Sequence, residues 1–212
     1  MNTTPIEDFI PYIAPQAQDC PDFVIRQTLV STVVDMCQRT GCLRTETVVP
    51  VKKDEKEIEI RLAYQLKPEV IRHVFMNGSE LTDIRRDELS HYYAHTDWAD
   101  YVGEPRFYTF EKPGILQLFP TPSKDCELRL ELSASVGRSA AQIPEVFFED
   151  YLDTVVVGTL SRIFRIAGQG YTNIRLADEY ELKYSAGCAE IRREVSRGFT
   201  KRTGHVFYNR II

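Results

Sequence analysis

One cluster in the sequence has the residue types of a metal site: Glu88, His91 and His95, in the pattern Glu-x-x-His-x-x-x-His. On a helix, positions i, i+3 and i+7 share one face, so the three side chains could converge on an ion. A small metal-dependent hydrolase would use such a centre to activate water. The motif is incomplete, because zinc peptidases place the glutamate between two histidines and dimetal bundles carry two Glu-x-x-His copies. We therefore favour surface residues of a short helix.

Other catalytic chemistries find less support in the residue pattern. No Gly-x-Ser-x-Gly motif occurs, and Ser90 and His91 are sequence neighbours that cannot face each other as a nucleophile and its base. The glycines do not form a phosphate-binding loop or a dinucleotide fingerprint. We therefore predict a protein that is not an enzyme and that has no catalytic, cofactor-binding or metal-binding residues.

The cysteines and the N-terminal residues indicate the cellular compartment of the protein. Five cysteines are scattered without a Cys-x-x-Cys pair, which predicts reduced thiols and neither a disulfide framework nor a zinc ribbon. The first residues are acidic and lack the basic and apolar regions of a signal peptide, and no apolar run approaches 18 residues. These features predict a protein that stays in the cytoplasm where it is made.

Charge is distributed unevenly along the chain. The net charge is −5, yet residues 192–212 hold six basic residues against one acidic residue, which leaves −10 for the remainder. The last residues have no periodicity and alternate basic with apolar types. They could be disordered, contact nucleic acid or dock into another protein, and we favour docking because they are too apolar for a free tail. The predicted docking residues are Lys201, Arg202, Val206, Phe207, Tyr208, Arg210, Ile211 and Ile212.

Two long helices are predicted in the C-terminal third. Residues 143–168 have Pro144 at a first helical position, acidic residues near the start and Gly168 as the stop. Apolar residues cover more than one stripe of this helix, which predicts a core position. A second helix, capped by Asn173, runs to Gly198, and the two should pack as an antiparallel hairpin.

The first half combines one helix with a β-rich stretch. A proline-broken arm precedes a helix that begins near Cys20 and ends at Gly41. Alternating segments at 45–51 and 57–62 predict a hairpin, and Asn77-Gly78 predicts a second tight turn. Asp83 is expected to cap a short helix to about residue 93. Further strands are expected at 70–76, 106–110, 115–119 and 125–136, the last with one solvent-exposed face.

These elements predict an α+β fold. We expect a helical body, made of the N-terminal helix and a long C-terminal helical hairpin, with an inserted antiparallel β-rich region and an extended C-terminal tail. The expected divisions are an arm and helix at 1–42, the β-rich insertion at 43–137, the helical hairpin at 138–198 and the tail at 199–212.

Several of these segments resemble the head-to-tail adaptor (connector) proteins of tailed bacteriophages, with a layout similar to that of podophage tail tubular A proteins. The resemblance spans about residues 9–197. It is carried by Phe9, Pro11, Tyr12, Pro15, Cys20, Pro21, Cys37, Ile143, Pro144, Phe148, Glu149, Asp150, Tyr171, Asn173, Leu176, Ala177 and Tyr180.

The resemblance implies a structural virion protein at the head-tail interface. Such adaptors form a ring of about twelve copies between the portal protein and a tail or nozzle protein, and DNA passes through the ring without specific binding. They have a helical body, a β-rich insertion and a C-terminal extension that inserts into the portal. The alternatives are the metal-dependent hydrolase using Glu88, His91 and His95, and a nucleic-acid-binding regulator using the basic tail.

Overall fold

The computed structural model describes residues 1–63, 65–89, 101–112 and 114–197. Within these ranges the protein is α+β. The helices are α1 (Ile10–Ile13), α2 (Asp22–Thr40), α3 (Val146–Glu149), α4 (Leu152–Ile163) and α5 (Ile174–Arg197), and a 3-10 turn spans Ile6–Phe9. The strands are β1 (Thr3–Pro5), β2 (Arg44–Val51), β3 (Glu57–Glu59), β4 (Leu66–Met76), β5 (Ser79–Glu80), β6 (Thr82–Asp83), β7 (Val102–Gly103), β8 (Phe107–Lys112), β9 (Ile115–Phe119), β10 (Thr121–Pro122), β11 (Cys126–Val136) and β12 (Gln142–Pro144).

The strands form two four-stranded sheets and two small pairs. The larger sheet has the order β2-β11-β4-β5, and the second has the order β3-β9-β8-β6. Strand β12 pairs with β1, and β10 pairs with β7. Strand β11 is the centre of the larger sheet, because it pairs antiparallel with β2 on one side and β4 on the other.

One apolar core joins the helices to the larger sheet. Helix α2 packs against both α4 and β11. Met36 of α2, Leu130 of β11, Leu160 of α4 and Tyr184 of α5 are fully buried in the same cluster. The sheet is therefore part of the body, since its inner face closes the core that the helices line.

The predicted helix over residues 143–168 is wrong. Residues Ile143 and Pro144 belong to β12, where Ile143 pairs with Thr4 of β1. The short helix α3 follows, and Tyr151 leaves helical geometry with φ −122° and ψ 14° before α4 begins. The N-terminal strand thus takes up the backbone hydrogen bonds at the start of the segment, and the remaining helix has only 12 residues.

The predicted fold class is corrected in the same way. The body is rich in strands rather than helical, and the expected long C-terminal helical hairpin is not found, because its first arm is broken into β12, α3 and α4. The second arm is present as α5, whose Leu176 N–H donates to the Asn173 side chain at 3.1 Å. The extended tail at 199–212 lies outside the described residues.

The predicted hairpin of segments 45–51 and 57–62 is also wrong. Strand β2 pairs with β11, whereas β3 pairs with β9 in the other sheet. The turn between them is held by a different partner, since the Asp54 N–H donates to the Pro122 carbonyl at 2.9 Å. The Lys53 N–H donates to the Asp125 carboxylate at 2.7 Å. These bonds carry the chain from one sheet to the next.

Other local predictions agree with the structure. Helix α2 ends at Gly41, which has φ 61°, and Asn77 and Gly78 both have positive φ in the turn between β4 and β5. Asp83, however, lies in β6, which pairs in parallel with β8. The end of the predicted short helix, residues 90–93, lies outside the described ranges.

Strand β11 departs from its predicted pattern of one exposed face. Its first half alternates, but Ser133 and Ser135 are buried. The Ser133 hydroxyl accepts a hydrogen bond from Arg72 Nε at 3.0 Å, and the Ser135 hydroxyl donates to the Glu69 carboxylate. Strand β4 therefore covers this end of β11 with long polar side chains.

Candidate partner-binding site

The sequence-predicted site residues are only partly visible. The docking residues Lys201, Arg202, Val206, Phe207, Tyr208, Arg210, Ile211 and Ile212 lie outside the described ranges, as do His91 and His95. Glu88 is described, and its carboxylate forms an ion pair with Arg85 at 2.9 Å. In the described part of the chain no group of three His, Cys, Asp or Glu side chains is arranged to hold a metal ion.

The point at which the tail leaves the body is well defined. Helix α5 is described to Arg197, and Arg44 of β2 donates from Nη2 to the Val195 carbonyl at 2.5 Å. A guanidinium near the C-terminal end of the described helix complements the negative end of the helix dipole. The larger sheet therefore holds the last described turn of α5 in place.

A groove lies beside this departure point and is strongly acidic. It has a volume of about 420 Å³ and lies between the last turns of α5 and the junction of α3 with α4. We call it the acidic groove. Its carboxylates are Glu149, Asp150, Asp153, Glu190 and Glu194, and its apolar lining is Phe148, Tyr151, Leu152 and Ile191.

The five carboxylates have little compensation. All five residues are exposed, and within the described ranges none of them forms an ion pair. Like charges held around one groove repel one another and attract a cationic group. The groove thus combines negative walls with apolar side chains, which suits a ligand that carries both basic and apolar groups.

The shape of the groove follows from two local features. At one end, a Cβ on Gly187 would lie 2.7 Å from the Thr154 hydroxyl, so α4 and α5 approach closely only because residue 187 is glycine. At the other end, the chain leaves helical geometry at Tyr151 and turns into α3. The two walls of the groove therefore meet at Gly187.

The pKa of Tyr151 reflects its burial and the negative charges near the groove. The residue is buried, with 8% of its surface exposed. Burial raises the pKa of Tyr151 to about 12, with further contributions from Cys42, Asp150 and Glu194. Its hydroxyl therefore stays protonated at neutral pH and can act as a hydrogen-bond donor or acceptor in the groove.

A second polar cluster lies where α2, α4 and α5 cross. Asp35 of α2 pairs with Arg162 of α4 at 2.9 Å and with Arg39 at 2.9 Å, and it accepts a hydrogen bond from the Tyr184 hydroxyl at 2.8 Å. Arg39 also approaches Glu181 of α5 at 3.6 Å. One carboxylate therefore links all three helices.

The Asp35 cluster has a structural role, because it holds three helices together. Burial favours the protonated carboxyl, but hydrogen bonds from Tyr184 and Arg162, with the charges of Arg162 and Arg39, outweigh it and lower the pKa of Asp35. Its charged partners already satisfy it, and Arg162 also donates to the Thr32 hydroxyl at 2.9 Å. A satisfied network of this kind orients helices and leaves no reactive group for substrate.

The N-terminal arm packs against Phe148. The Phe9 ring lies 5.1 Å from the Phe148 ring and the Tyr12 ring lies 5.9 Å from it, both edge to face. The Tyr180 hydroxyl of α5 donates to Gln16 at 2.7 Å. The arm thus packs against α3 and α5 close to one wall of the acidic groove, to which Phe148 also contributes.

No protein-family model matches the sequence. No curated protein matches it.

The acidic groove is not apparent from the sequence. Its carboxylates come from two stretches, 149–153 and 190–194, that are about forty residues apart. The missed signal is that Glu149, Asp150 and Asp153 cluster where α3 ends and α4 begins, while Glu190 and Glu194 share one face of α5. Pairing of α4 with α5 brings the two stretches together.

Proposed function

We propose that this protein is a structural virion protein of a tailed bacteriophage, a head-to-tail adaptor. Copies of the chain form a ring between the portal protein and the tail or nozzle protein, and DNA passes through the lumen. The tail, residues 199–212, anchors each copy to the portal. The functional residues of this account are contact residues, and catalysis has no part in it.

One observation carries the proposal: residues of the resemblance that are far apart in sequence meet in space. Phe9 and Tyr12 of the arm pack on Phe148, and the neighbouring Ile143 pairs with Thr4. Burial and the nearby Cys20 thiol also raise the pKa of Tyr171, which places these two residues of the resemblance close together. These motifs thus describe one packed unit, as expected of a pattern maintained by a shared fold.

The surface supports assembly into a ring. A closed ring needs two different contact surfaces on each subunit, because each copy contacts its neighbours head to tail. Large apolar side chains are exposed on the helices, where Phe23 is 69% and Leu182 is 73% exposed. Others are exposed on the larger sheet, where Val48 and Val70 are 56% and 59% exposed. Exposed apolar side chains on two different parts of the body are candidate positions for such a heterologous contact.

The charge of the body suits a passage for DNA. Residues 1–191 carry a net charge of −10. A DNA-binding surface normally concentrates lysine and arginine where it meets the phosphates. An acidic body instead repels the duplex, which allows DNA to slide past without being held.

The test of this function is attachment to the portal. Full-length protein and a variant with Phe207→Ser, Ile211→Ser and Ile212→Ser are each sedimented with portal rings at physiological salt. We expect the full-length chain to co-sediment and the variant to remain in the supernatant, because its anchor has lost most of its apolar surface. Ile174→Ser is the matched control, because it removes an apolar side chain that is 53% exposed and lies outside both the tail and the proposed ring contacts.

Two results would count against the proposal. Failure of the full-length chain to sediment with portal would reject the adaptor function. Equal binding by the tail variant and the full-length chain would reject the anchor. Circular dichroism of each variant establishes that the body is folded in either case.

A further inference from the structure

We infer that the acidic groove binds the basic tail of its own chain, the segment that includes Lys201, Arg202 and Arg210. The groove and the portal would bind the same tail residues, so this interaction belongs to the protein before it attaches to portal. The groove is the binding surface, and the ligand is a cationic segment with interspersed aromatic residues.

The groove and the tail carry opposite charges. The groove presents Glu149, Asp150, Asp153, Glu190 and Glu194, and within the described ranges these carboxylates have no ion-pair partners. Residues 198–212 contain three basic residues and no acidic residue, with His205 in addition. Pairing of these two sets would relieve the repulsion among the carboxylates.

The groove and the tail both combine charged groups with apolar side chains. The tail alternates its basic residues with Val206, Phe207 and Tyr208. The groove has the same mixed character, because Phe148 and Leu152 are half-buried and Tyr151 and Ile191 are buried between the carboxylates. Apolar contact adds to the attraction between charges and makes the groove more than a diffuse patch.

The tail is long enough to reach the groove. The tail follows Arg197 directly, and the groove extends back along α5 from Glu194 past Glu190 to Gly187. Glu190 lies about 10 Å from Arg197 along the helix axis, at 1.5 Å per residue. Lys201 is four residues beyond Arg197 and can extend by up to about 14 Å. A tethered ligand this close has an effective concentration of about millimolar, which favours the chain's own tail over that of another copy.

Zero-length cross-linking of the full-length protein tests this inference. A carbodiimide joins the Lys201 amine to a carboxylate that it contacts, and Lys201 is the single lysine in residues 198–212. The decisive products link Lys201 to Glu149, Asp150 or Asp153, because these residues belong to the wall that is distant in sequence. Linkage to Glu194 alone would reflect nothing more than its nearness along the chain.

The expected result is intramolecular linkage to the distant wall. An equal mixture of ¹⁵N-labelled and unlabelled protein should give linked peptides of uniform isotope composition. Raising the salt to 1 M, where the Debye length is about 3 Å, should abolish the links. Glu190→Gln with Glu194→Gln should lower linkage to the distant wall by roughly fivefold. Glu179→Gln, on the same helix but outside the groove, should leave it unchanged.

Three outcomes would overturn the inference. These are absence of links to the distant wall, linkage to Glu179 as frequent as to the groove, and links of mixed isotope composition, which would mean binding between copies. The salt dependence of the wild-type protein keeps the test valid if the double variant does not fold. Portal binding is measured separately, so a negative cross-linking result leaves the proposed adaptor function untouched.

Discussion

Gly158 of α4 lies directly against the ring of Tyr184 of α5. A Cβ at position 158 would lie 2.5 Å from Cδ2 of that ring and 2.8 Å from Cγ2 of Thr32. Tyr184 is fully buried, and its hydroxyl donates to Asp35 of α2. The absence of a side chain at one position therefore allows three helices to converge on a single tyrosine.

Gly158→Ala should destabilise the fold. The added methyl group has no room beside Tyr184 and Thr32, and overpacking of this kind costs roughly 1–3 kcal/mol. The gain in helix propensity, about 1 kcal/mol, offsets only part of this cost. Urea unfolding should show a lower midpoint than for wild type. Gly170→Ala is the control, because a Cβ there meets nothing within 4 Å, and an equal midpoint for both variants would contradict the packing described here.

Leu160→Asp should prevent folding, whereas Leu182→Asp should not. Leu160 is 0% exposed in the common core, and Leu182 is 73% exposed on α5. Burying an unpaired carboxylate costs several kcal/mol against a total stability of about 5–15 kcal/mol. Far-UV circular dichroism and thermal melting compare the two variants. A wild-type melt for Leu160→Asp would mean that this face of α4 is an exposed surface.

Asp35→Asn should reduce stability at neutral pH and much less in acid. Burial opposes ionisation, but the bonds from Tyr184 and Arg162 and the nearby positive charges hold the pKa of Asp35 below its ordinary value of 3.8. A carboxylate with a lowered folded-state pKa stabilises the fold above pH 3.8, and this stabilisation is lost as pH falls through the folded-state pKa. The difference in unfolding free energy between wild type and variant should therefore be constant from pH 7 to about pH 5 and should narrow as pH falls below 3.8.

Asp178→Asn provides the comparison for the acid series. Asp178 pairs with Arg165 at 2.7 Å, but its side chain is 65% exposed. Exposed ion pairs contribute about 0–1 kcal/mol, so this variant should follow the wild type closely across the pH range. A constant gap between Asp35→Asn and wild type down to pH 3 would contradict the role assigned to Asp35.

Local signals in the sequence predicted several elements well because the chemistry was local. Gly41 ends α2 in the left-handed conformation, Asn77 and Gly78 form the predicted tight turn, and Asn173 caps α5. Each of these depends on the backbone preferences of one or two residues. The alternating pattern of β11 likewise gave its position.

The errors arose where distant segments compete for the same backbone. Residues 143–150 have helical sequence signals, yet β1 pairs with Ile143 and Pro144 and shortens the helix. The sequences of β2 and β3 predict a hairpin. In the structure β11 lies between β2 and β4 and pairs with β2. The acidic groove was missed for the same reason, since Asp153 and Glu190 become neighbours only after α4 and α5 pack together.

Electron microscopy of the protein mixed with its portal tests the central proposal most directly. The adaptor account predicts an added ring of about twelve copies, coaxial with the portal and with an open lumen. The tail variant Phe207→Ser, Ile211→Ser, Ile212→Ser should leave the portal bare under the same conditions. Portal particles that remain bare with the full-length folded chain, at concentrations well above those of the portal, would contradict it.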